Sequence, residues 1–393
     1  MTTAQPPLAW RRRLRSSLTF QRSARGTTRR LADRLVYLAV RSLVMVVQAL
    51  PITTAYQLAD ALAWLAYQVD RRHRLVGLEN LEKAFGDQYD AEQRAAMIRE
   101  TYRHFCRMVV EIMLIPCKLR LESWRDYIAP RGHAAAIEEL LDRDRPVIVL
   151  TGHYGNWEMA GYLFGVYGFA SHAVARPLDN PDLDRFLRGF RERTGGKLIP
   201  KKGGYDQMVE VLQNRGCLAI LADQDAGQNG LFVEFFGRPA STHKAIALLA
   251  IEHRASVVVG YARRVGPGFR YEVGIEEILK PEEFDDWADP VTELTQRYTR
   301  ALERIIRRDP TQYLWLHRRW KHAPQPRVRK PRPKARAVAH RDDESASHTP
   351  PTPHAEVAPT SATSPPIRPE KPIALRPTRS ETPQRVPHHD HAR

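Results

Sequence analysis

A run of apolar residues that passes into a Gly-rich turn is the feature that most constrains this chain of 393 residues. Residues 146–151 read Pro-Val-Ile-Val-Leu-Thr, which is typical of a strand covered on both faces by helices. Gly152 and Gly155 allow a tight turn, and residues 157–168 continue as a mostly apolar helical segment. This is the unit of an α/β sheet, and such sheets bind ligands at the carboxyl ends of their strands.

The turn carries an imidazole, His153, and a carboxylate, Glu158. In one regular helix five steps of about 100° would place these side chains roughly 140° apart. They can meet only if His153 precedes the helix and Glu158 lies in its first turn. Glu158 would then accept a hydrogen bond from one ring nitrogen and raise the basicity of the other, as in a His general base. The alternative is a structural His and Glu, since this strand-turn-helix pattern is common.

The rest of the chain alternates between strand and helix patterns, which predicts an α/β fold with a mostly parallel central sheet flanked by helices. The predicted strands after the turn are 171–175, 197–199, 217–222, 256–262 and 269–275. The predicted helices after it are 183–193, 205–214, 242–252 and 290–308. Before the turn, helices are predicted at 90–113 and 132–142, and we expect Pro116 to break the first of them.

The positive charge of the chain lies at its two ends. The formal net charge is +16. Residues 1–30 hold eight Arg and no acid (+8), and residues 323–393 hold 13 basic and seven acidic residues (+6), which leaves +2 for the middle. A nearly neutral folded region argues against nucleic acid as a partner. The three cysteines lack metal-site spacing and indicate a reducing, cytoplasmic setting.

Two apolar helices are predicted in residues 31–70. Residues 35–52 approach the length of a membrane span, but Arg41 near the middle would cost about 2.5 to 3.5 kcal/mol on an insertion scale. Residues 54–69 have apolar side chains at three- and four-residue steps, include Trp64 and run into an Arg-rich segment. We therefore expect membrane-associated helices that attach the protein monotopically. A single N-terminal span and an ordinary pair of core helices are the alternatives.

Composition divides the chain into four segments. They are a basic N-terminal segment at 1–30, membrane-associated helices at 31–70, the α/β domain at 71–322 and a Pro-rich tail at 323–393. The tail holds 15 of the 29 prolines and no Phe, Trp or Tyr. It lacks the residues that build a core, so we expect it to be disordered.

Basic side chains follow two predicted strands and are candidates for binding an anionic substrate. Arg176 suits a phosphate because its guanidinium is a planar fork. Lys201 and Lys202 lie in a Gly-rich turn before a helix, which also suits an anion. The alternative for Arg176 is a helix cap or an ion pair with Asp179, and the alternative for the lysines is a solvated loop.

Two more segments contain candidate functional residues, one acidic and one aromatic. Asp223-Gln224-Asp225 ends a predicted strand, where its carboxylates could hold Mg²⁺, position a substrate hydroxyl or cap a turn. Phe235-Phe236 stands close to Arg238 and would either line an acyl pocket or belong to the core. Gly-x-Ser-x-Gly, His-Glu-x-x-His and a Gly-x-Gly-x-x-Gly after a strand are all absent from the sequence. A His and a Glu without a protein nucleophile suggest a base that activates a hydroxyl of the substrate.

The segment from Gly152 to Glu158 resembles the His-x4-Glu motif of the late acyltransferases of lipid A biosynthesis, the lauroyl and myristoyl transferase family. Four further blocks resemble that family in the same order, so that the likeness covers residues 30–323. The blocks are Arg176–Pro181, Asp223–Gly227, Phe235–Thr242 and Trp315–Lys321. Glu234 stands where an apolar residue or Pro is usual, and the tail has no counterpart in the family.

The resemblance implies an acyltransferase that moves a fatty acyl chain from an acyl carrier protein (or CoA) thioester to a hydroxyl of a glycolipid in the membrane. His153 would be the base, Glu158 its partner, and Asn156, Arg176, Lys201, Lys202 and Arg238 substrate-binding residues. Neither metal nor cofactor is expected. The place implied is the cytoplasmic face of the inner membrane. A phosphatidylinositol mannoside is the alternative acceptor, and a thioester hydrolase or a non-catalytic membrane-peripheral binding protein are the alternative functions.

Overall fold

The computed structural model describes residues 9–142 and 144–324, and the side chains of residues 29–132, 134–142 and 144–324. Within these ranges the chain forms eleven α-helices. They are α1 (Ala9–Ala49), α2 (Ile52–Val69), α3 (Arg71–Phe85), α4 (Ala91–Lys118), α5 (His133–Leu141), α6 (Trp157–Val166), α7 (Pro181–Arg191), α8 (Tyr205–Gln213), α9 (Ala245–Glu252), α10 (Pro281–Phe284) and α11 (Pro290–Arg308). Residues 1–8 and nearly all of the predicted Pro-rich tail lie outside the described residues.

The central sheet has seven strands in the order β1-β9-β8-β2-β5-β3-β4. The strands β8, β2, β5, β3 and β4 are parallel neighbours, whereas β9 runs antiparallel to β8 and β1 is parallel to β9. The strands are β1 (Ile128–Arg131), β2 (Val147–Thr151), β3 (Ser171–Ala175), β4 (Lys197–Pro200), β5 (Cys217–Leu221), β8 (Ser256–Arg264) and β9 (Tyr271–Leu279). The predicted α/β class, with a mostly parallel sheet flanked by helices, is confirmed.

The centre of the sheet is its most apolar part. In β2, Ile148 and Leu150 are fully buried, and in β8 the run Val257–Val259 is fully buried. Both faces of these strands are covered, which explains why their sequences are continuous apolar runs and do not alternate. The strand that leads to His153 therefore lies in the buried centre of the sheet.

A separate hairpin of two strands, β6 (Leu231–Phe235) and β7 (Arg238–Thr242), packs beside the sheet. The exposed Glu234 alternates with buried neighbours along β6, so it points away from the core. Phe235 and Phe236 are 1% and 5% exposed and pack against Trp320 and Trp315. The two phenylalanines therefore belong to the core, as one of the two alternatives for this pair predicted.

Helix α4 extends further than predicted. Pro116 lies inside it, two residues before its end, so the expectation that Pro116 breaks the helix was wrong. A proline removes one amide donor from the last turn, but the chain keeps its helical course and the amide of Leu119 still donates to the carbonyl of Ile115 at 2.8 Å.

The two N-terminal helices pack on α4 with one face and expose apolar residues on the other. Val47, Ala55, Tyr56 and Ala59 are buried against α4 residues such as Leu114. Twelve exposed side chains form what we call the outer apolar surface: Leu31, Leu35, Val36, Leu38, Leu43, Met45, Val46, Leu58, Leu62, Trp64, Leu65 and Val69. Among the described residues, no helix combines the length and apolar character that crossing a bilayer requires.

Candidate active site

The carboxyl ends of four parallel strands bring the predicted site residues to one edge of the sheet. His153 follows β2, Asp223 follows β5, Arg176 follows β3 and Lys201 follows β4. The strand order β2-β5-β3-β4 and a strand spacing of about 4.8 Å place the end of β3 about 10 Å from that of β2, and the end of β4 about 14 Å from it. His153 and Asp223 are therefore immediate neighbours, and the basic residues stand further along the edge.

A buried carboxylate holds the imidazole of His153. The Nδ1 atom of His153 lies 2.8 Å from Oδ1 of Asp223, and the backbone amide of His153 donates to Oδ2 of the same carboxylate at 2.8 Å. A carboxylate can only accept, so Nδ1 carries the proton and the lone pair of the neutral ring is on Nε2. The side chain of Asp223 is 1% exposed and that of His153 is 14% exposed. The arrangement has the geometry of a general base and its orienting carboxylate.

Each member of this pair stabilises the charged form of the other. Burial alone would lower the pKa of His153, but the charge and hydrogen bond of Asp223 outweigh burial and raise that pKa above its usual value. Burial would raise the pKa of Asp223, but the facing His153 and the nearby His317 bring it well below its usual value. Asp223 therefore stays ionised at neutral pH and stabilises the imidazolium that forms when His153 takes up a proton.

Glycines allow the 152–156 turn to approach its neighbours. A side chain at Gly152 would press on the carboxylate of Asp223, with its Cβ 3.3 Å from Oδ2. Gly155 has a φ of +58°, and a Cβ there would lie 1.9 Å from the carbonyl oxygen of Ala262 in β8. Only glycine fits position 155, because the backbone is left-handed and the space is filled.

The segment after α11 closes the back of the 152–156 turn. The amide of Leu314 donates to the carbonyl of His153 at 3.0 Å, and the amide of Gly155 donates to the carbonyl of Gln312 at 3.0 Å. The ring of His317 lies 6.5 Å from the ring of His153. The turn is thus fixed from the sheet on one side and from the C-terminal segment on the other.

The predicted partner of His153 is corrected by the structure. Glu158 lies in the first turn of α6, as expected, but its carboxylate accepts from Nε and Nη2 of Arg191 at 2.9 and 2.5 Å. The orienting hydrogen bond comes from Asp223 instead. Glu158 acts on His153 through its charge, which is a small contribution to the raised pKa of the imidazole.

Asn156 caps a helix, and its side chain lies in the protein interior. Its side chain is fully buried; Oδ1 accepts from the amide of Met159 at 3.1 Å, and Nδ2 donates to Glu111 at 3.3 Å. Asn is a favoured N-cap because its oxygen satisfies an otherwise free amide of the first turn. The expectation that Asn156 contacts substrate is therefore corrected to a structural role at the start of α6.

Three of the basic candidates have exposed side chains at the carboxyl edge of the sheet. The side chain of Arg176 is 81% exposed, and its ion pair with Asp179 is long, at 3.7 Å. Lys201 and Lys202 are exposed, and the positive charge of Lys201 acts against protonation of His153. These side chains are available to an anion that reaches the edge of the sheet beside His153.

Arg238 lies elsewhere. It stands where the hairpin turns into β7, and Nε donates to the carbonyl of Lys83 in α3 at 2.8 Å. The opposite end of β7, Thr242, is the end held by Arg319 near Asp223, about 14 Å away for four strand steps. Arg238, which was expected among the substrate-binding residues, instead fastens the hairpin to α3.

Several residues of the site carry no local sequence signal. Arg191 is one of many arginines in the chain, and its contact with Glu158 depends on how α7 packs. Asp223 does stand out as an acid at a strand end, but its role as the partner of His153 depends on β2 and β5 being neighbours. A three-dimensional arrangement of this kind cannot be read from spacing.

Comparison with known proteins gives this geometry a context. A family model for bacterial lipid A biosynthesis acyltransferases matches residues 24–322. A lipid A biosynthesis acyltransferase of Haemophilus influenzae is 26% identical over 283 residues, which are 70% of this chain and 86% of that protein. A lipid A biosynthesis lauroyltransferase of Escherichia coli is 26% identical over 296 residues, 74% of this chain and 92% of that protein.

A second kind of relative matches a shorter region. A phosphatidylinositol mannoside acyltransferase of Mycolicibacterium smegmatis is 28% identical over 185 residues. The match covers 46% of this chain and 58% of that protein. The relatives therefore include proteins named for two different lipids.

Proposed function

Because the chain belongs to the bacterial lipid A biosynthesis acyltransferases and is therefore an enzyme that transfers acyl groups, we propose that it moves a fatty acyl chain from the thioester of acyl carrier protein to a hydroxyl of a glycolipid such as a lipid A precursor. The observation that carries the proposal is the hydrogen bond between the partly exposed His153 and the buried Asp223 at the carboxyl edge of the sheet.

The reaction uses His153 as a general base. Its Nε2 atom removes the proton from the acceptor hydroxyl while the oxygen attacks the thioester carbonyl. The new C–O bond forms, the C–S bond breaks, and the proton passes from His153 to the departing thiolate. General-base catalysis of this kind contributes about 10² to 10⁴ in rate, and Asp223 supports it by holding the tautomer with a free Nε2.

The start of α6 supplies donors for the oxyanion of the tetrahedral intermediate. The amides of His153, Gly155 and Asn156 are already bonded to Asp223, Gln312 and Ala262. The first amides of the helix, those of Trp157 and Glu158, are the candidates, because the first amides of a helix have no acceptor within it. Their partial positive charge favours a developing anion.

The negative charge of the proposed acceptor matches the basic side chains at the carboxyl edge of the sheet. A phosphorylated glycolipid is a polyanion, and the exposed cations Arg176, Lys201 and Lys202 follow β3 and β4, further along the same edge than the Asp223–His153 pair. Arg176 provides the planar fork that binds phosphate in a bidentate way. We assign these three residues to the acceptor headgroup.

The outer apolar surface provides the attachment to the membrane. It lies on α1 and α2 and includes Trp64, at 65% exposure, and Val69, at 74%. Arg71 and Arg72 follow directly at the start of α3 and are exposed. Apolar side chains bordered by arginines are typical of helices that lie in the interface of an anionic bilayer. We propose peripheral attachment to the cytoplasmic face of the inner membrane, where acyl carrier protein is present.

A phosphatidylinositol mannoside is the second candidate acceptor, because relatives named for that lipid match part of the chain. Both acceptors combine a sugar hydroxyl with a phosphate, so the same base and cations suit both. The match to proteins named for lipid A covers more of the chain, which favours a lipid A precursor.

The test is product analysis with purified enzyme. We would incubate it with acyl carrier protein thioester or the matching CoA thioester, and with a lipid A precursor, a phosphatidylinositol mannoside or no acceptor, and identify products by mass spectrometry. The proposal predicts an acylated lipid A precursor, formed faster from the carrier protein. Acylation of the mannoside alone would assign the second acceptor, and release of free fatty acid with every acceptor would show a hydrolase and overturn the proposal.

A further inference from the structure

A buried carboxylate lies behind the 152–156 turn and accepts hydrogen bonds from several side chains. Glu111 of α4 is fully buried. It accepts from five donors, on Tyr56, Asn156, Tyr271 and twice on Arg264. The two bonds from Arg264 form a bidentate fork, with Nε at 2.7 Å from Oε1 and Nη2 at 2.9 Å from Oε2. The side chain of Arg264 is 8% exposed.

A second buried side chain, His104, connects Arg264 to the turn by hydrogen bonds. Nη1 of Arg264 lies 3.0 Å from Nδ1 of His104, and Nε2 of His104 lies 3.1 Å from the carbonyl oxygen of Gly155. A guanidinium can only donate, so Nδ1 of His104 accepts and Nε2 carries the proton that it donates to Gly155. Burial and the charge of Arg264 hold the pKa of His104 well below its usual value, so this ring stays neutral and keeps one tautomer.

Two consecutive residues of the turn are therefore held from behind by one ion pair. His104 fixes the carbonyl of Gly155, and Glu111 fixes the side chain of Asn156, which caps α6. Gly155 and Asn156 link His153 to the first amides of α6. Any displacement of these two residues changes the angle between the base and the candidate oxyanion donors.

Stability alone is a weak explanation for this arrangement. A buried ion pair gains little over well-packed apolar side chains, because both charges must leave water. A fully satisfied polar network, by contrast, has one geometry and is rigid. An apolar core at this place could fill the same volume, but it could not fix the backbone carbonyl of Gly155 or the side-chain amide of Asn156.

We propose that Glu111, Arg264 and His104 are positioning residues that aim the catalytic turn, so that Nε2 of His153 and the amides at the start of α6 face the same carbonyl group of the substrate. The inference rests on the proposed function in that it takes His153 to be the base. A misplacement of about 1 Å in a site of this kind costs about 10²-fold in rate.

The test compares variants that keep or remove the hydrogen bonds. His104→Gln keeps a donor toward Gly155 and an acceptor toward Arg264, whereas His104→Leu removes both. We expect kcat to fall about 10- to 100-fold for His104→Leu and Glu111→Gln, with KM for both substrates unchanged, and His104→Gln to recover most of the loss. Arg264→Lys should recover little, because a point charge cannot reproduce the fork.

The control is another buried carboxylate. Glu139 is 7% exposed and bonds to Oγ of Ser256 and Nζ of Lys280, each at 2.7 Å, without touching the turn. Glu139→Gln should lower the melting temperature but leave kcat per folded molecule unchanged. The pH at which kcat reaches half its plateau should stay the same in Glu111→Gln, because the contact between His153 and Asp223 is intact in that variant.

The outcomes separate this inference from the proposed function. A wild-type kcat per folded molecule in Glu111→Gln and His104→Leu, with only thermal stability lost, would overturn the positioning role. Equal losses in His104→Leu and His104→Gln would overturn it too. If His153→Ala, measured in the same assay, keeps the wild-type rate, it is the proposed function that fails.

Discussion

Replacing Asp223 by Asn tests the orienting carboxylate with the smallest change of shape. The native carboxylate accepts from both the amide and Nδ1 of His153, each at 2.8 Å. The amide of Asn has one oxygen, so one of the two contacts must be lost. If the oxygen keeps the backbone amide, the NH₂ group faces Nδ1 and favours the tautomer whose Nε2 is protonated, and this tautomer cannot act as a base.

The size of the effect follows from these two contacts. A hydrogen bond to a charged group contributes about 1.5 to 3 kcal/mol, and a neutral one that stabilises the inactive tautomer about 0.5 to 1.5 kcal/mol. Their sum predicts that kcat falls between about 30-fold and about 2,000-fold. Since Asp223 raises the pKa of His153 against the effect of burial, the acid limb of the pH–kcat profile should also move to lower pH.

The assay is steady-state acyl transfer over a pH series with saturating donor and acceptor. Asp225→Asn is the matched control, because its carboxylate bonds to His322 and the amide of Gly227 and does not bond to His153. It should change kcat no more than a few-fold. An Asp223→Asn enzyme with a wild-type kcat and an unmoved acid limb would refute the orienting role.

Three more predictions concern the surroundings of the pair. Glu158→Gln breaks the ion pair with Arg191 and should cost about 1 to 2 kcal/mol of unfolding free energy in urea, with a smaller loss of kcat than Asp223→Asn; a larger loss would return Glu158 to the role of primary partner. Arg176→Ala should weaken the use of acceptor about 10- to 150-fold without changing thioester hydrolysis, and Arg176→Lys should recover little; equal losses with donor and acceptor would place Arg176 in the scaffold or the carrier-protein surface. Leu62→Gln with Trp64→Ser, at side chains 59% and 65% exposed, should lower partitioning onto anionic vesicles roughly 10- to 100-fold while activity on detergent-dispersed acceptor persists; unchanged partitioning would show that this surface does not contact the bilayer.

Much of the fold could be predicted because its determinants are local. The apolar run of β2, the helix at 290–308 and the strand at 171–175 have the predicted bounds within a residue. The hairpin of β6 and β7 was missed, since Phe235 and Phe236 are adjacent aromatic residues that both lie in the core. This is possible because Phe236 adopts a positive φ of 53°, a conformation that no period-two pattern indicates.

The partner of His153 could not be predicted because it depends on strand order. Glu158 is five residues from His153 in sequence, whereas Asp223 is 70 residues away. β5 lies next to β2 although β3 and β4 come between them in the chain. The sequence shows that both acids stand near strand ends, but only the sheet decides which one reaches the imidazole.

The hydrogen-bond network of Glu111, Arg264 and His104 could not be predicted from the sequence for the same reason. Glu111 and Arg264 are 153 residues apart, on α4 and at the end of β8. Glu111 interrupts the apolar face of α4, and a lone acid on such a face gives no indication of its partners. The N-terminal helices show a related limit: Tyr56 of α2 bonds to Glu111 at 2.6 Å, so α2 is joined to the network behind the turn by a contact that its own sequence does not indicate.

The most direct test of the central claim is the rate of acyl transfer by His153→Ala, measured with purified, folded protein, acyl carrier protein thioester and a lipid A precursor. Identical circular dichroism and melting behaviour would establish that the fold is intact. If His153 is the base, kcat falls by at least about 10²-fold and up to 10⁴-fold, and the acid limb of the pH profile disappears with the imidazole. A His153→Ala enzyme that transfers acyl chains at close to the wild-type rate, with the same pH dependence, would contradict the account.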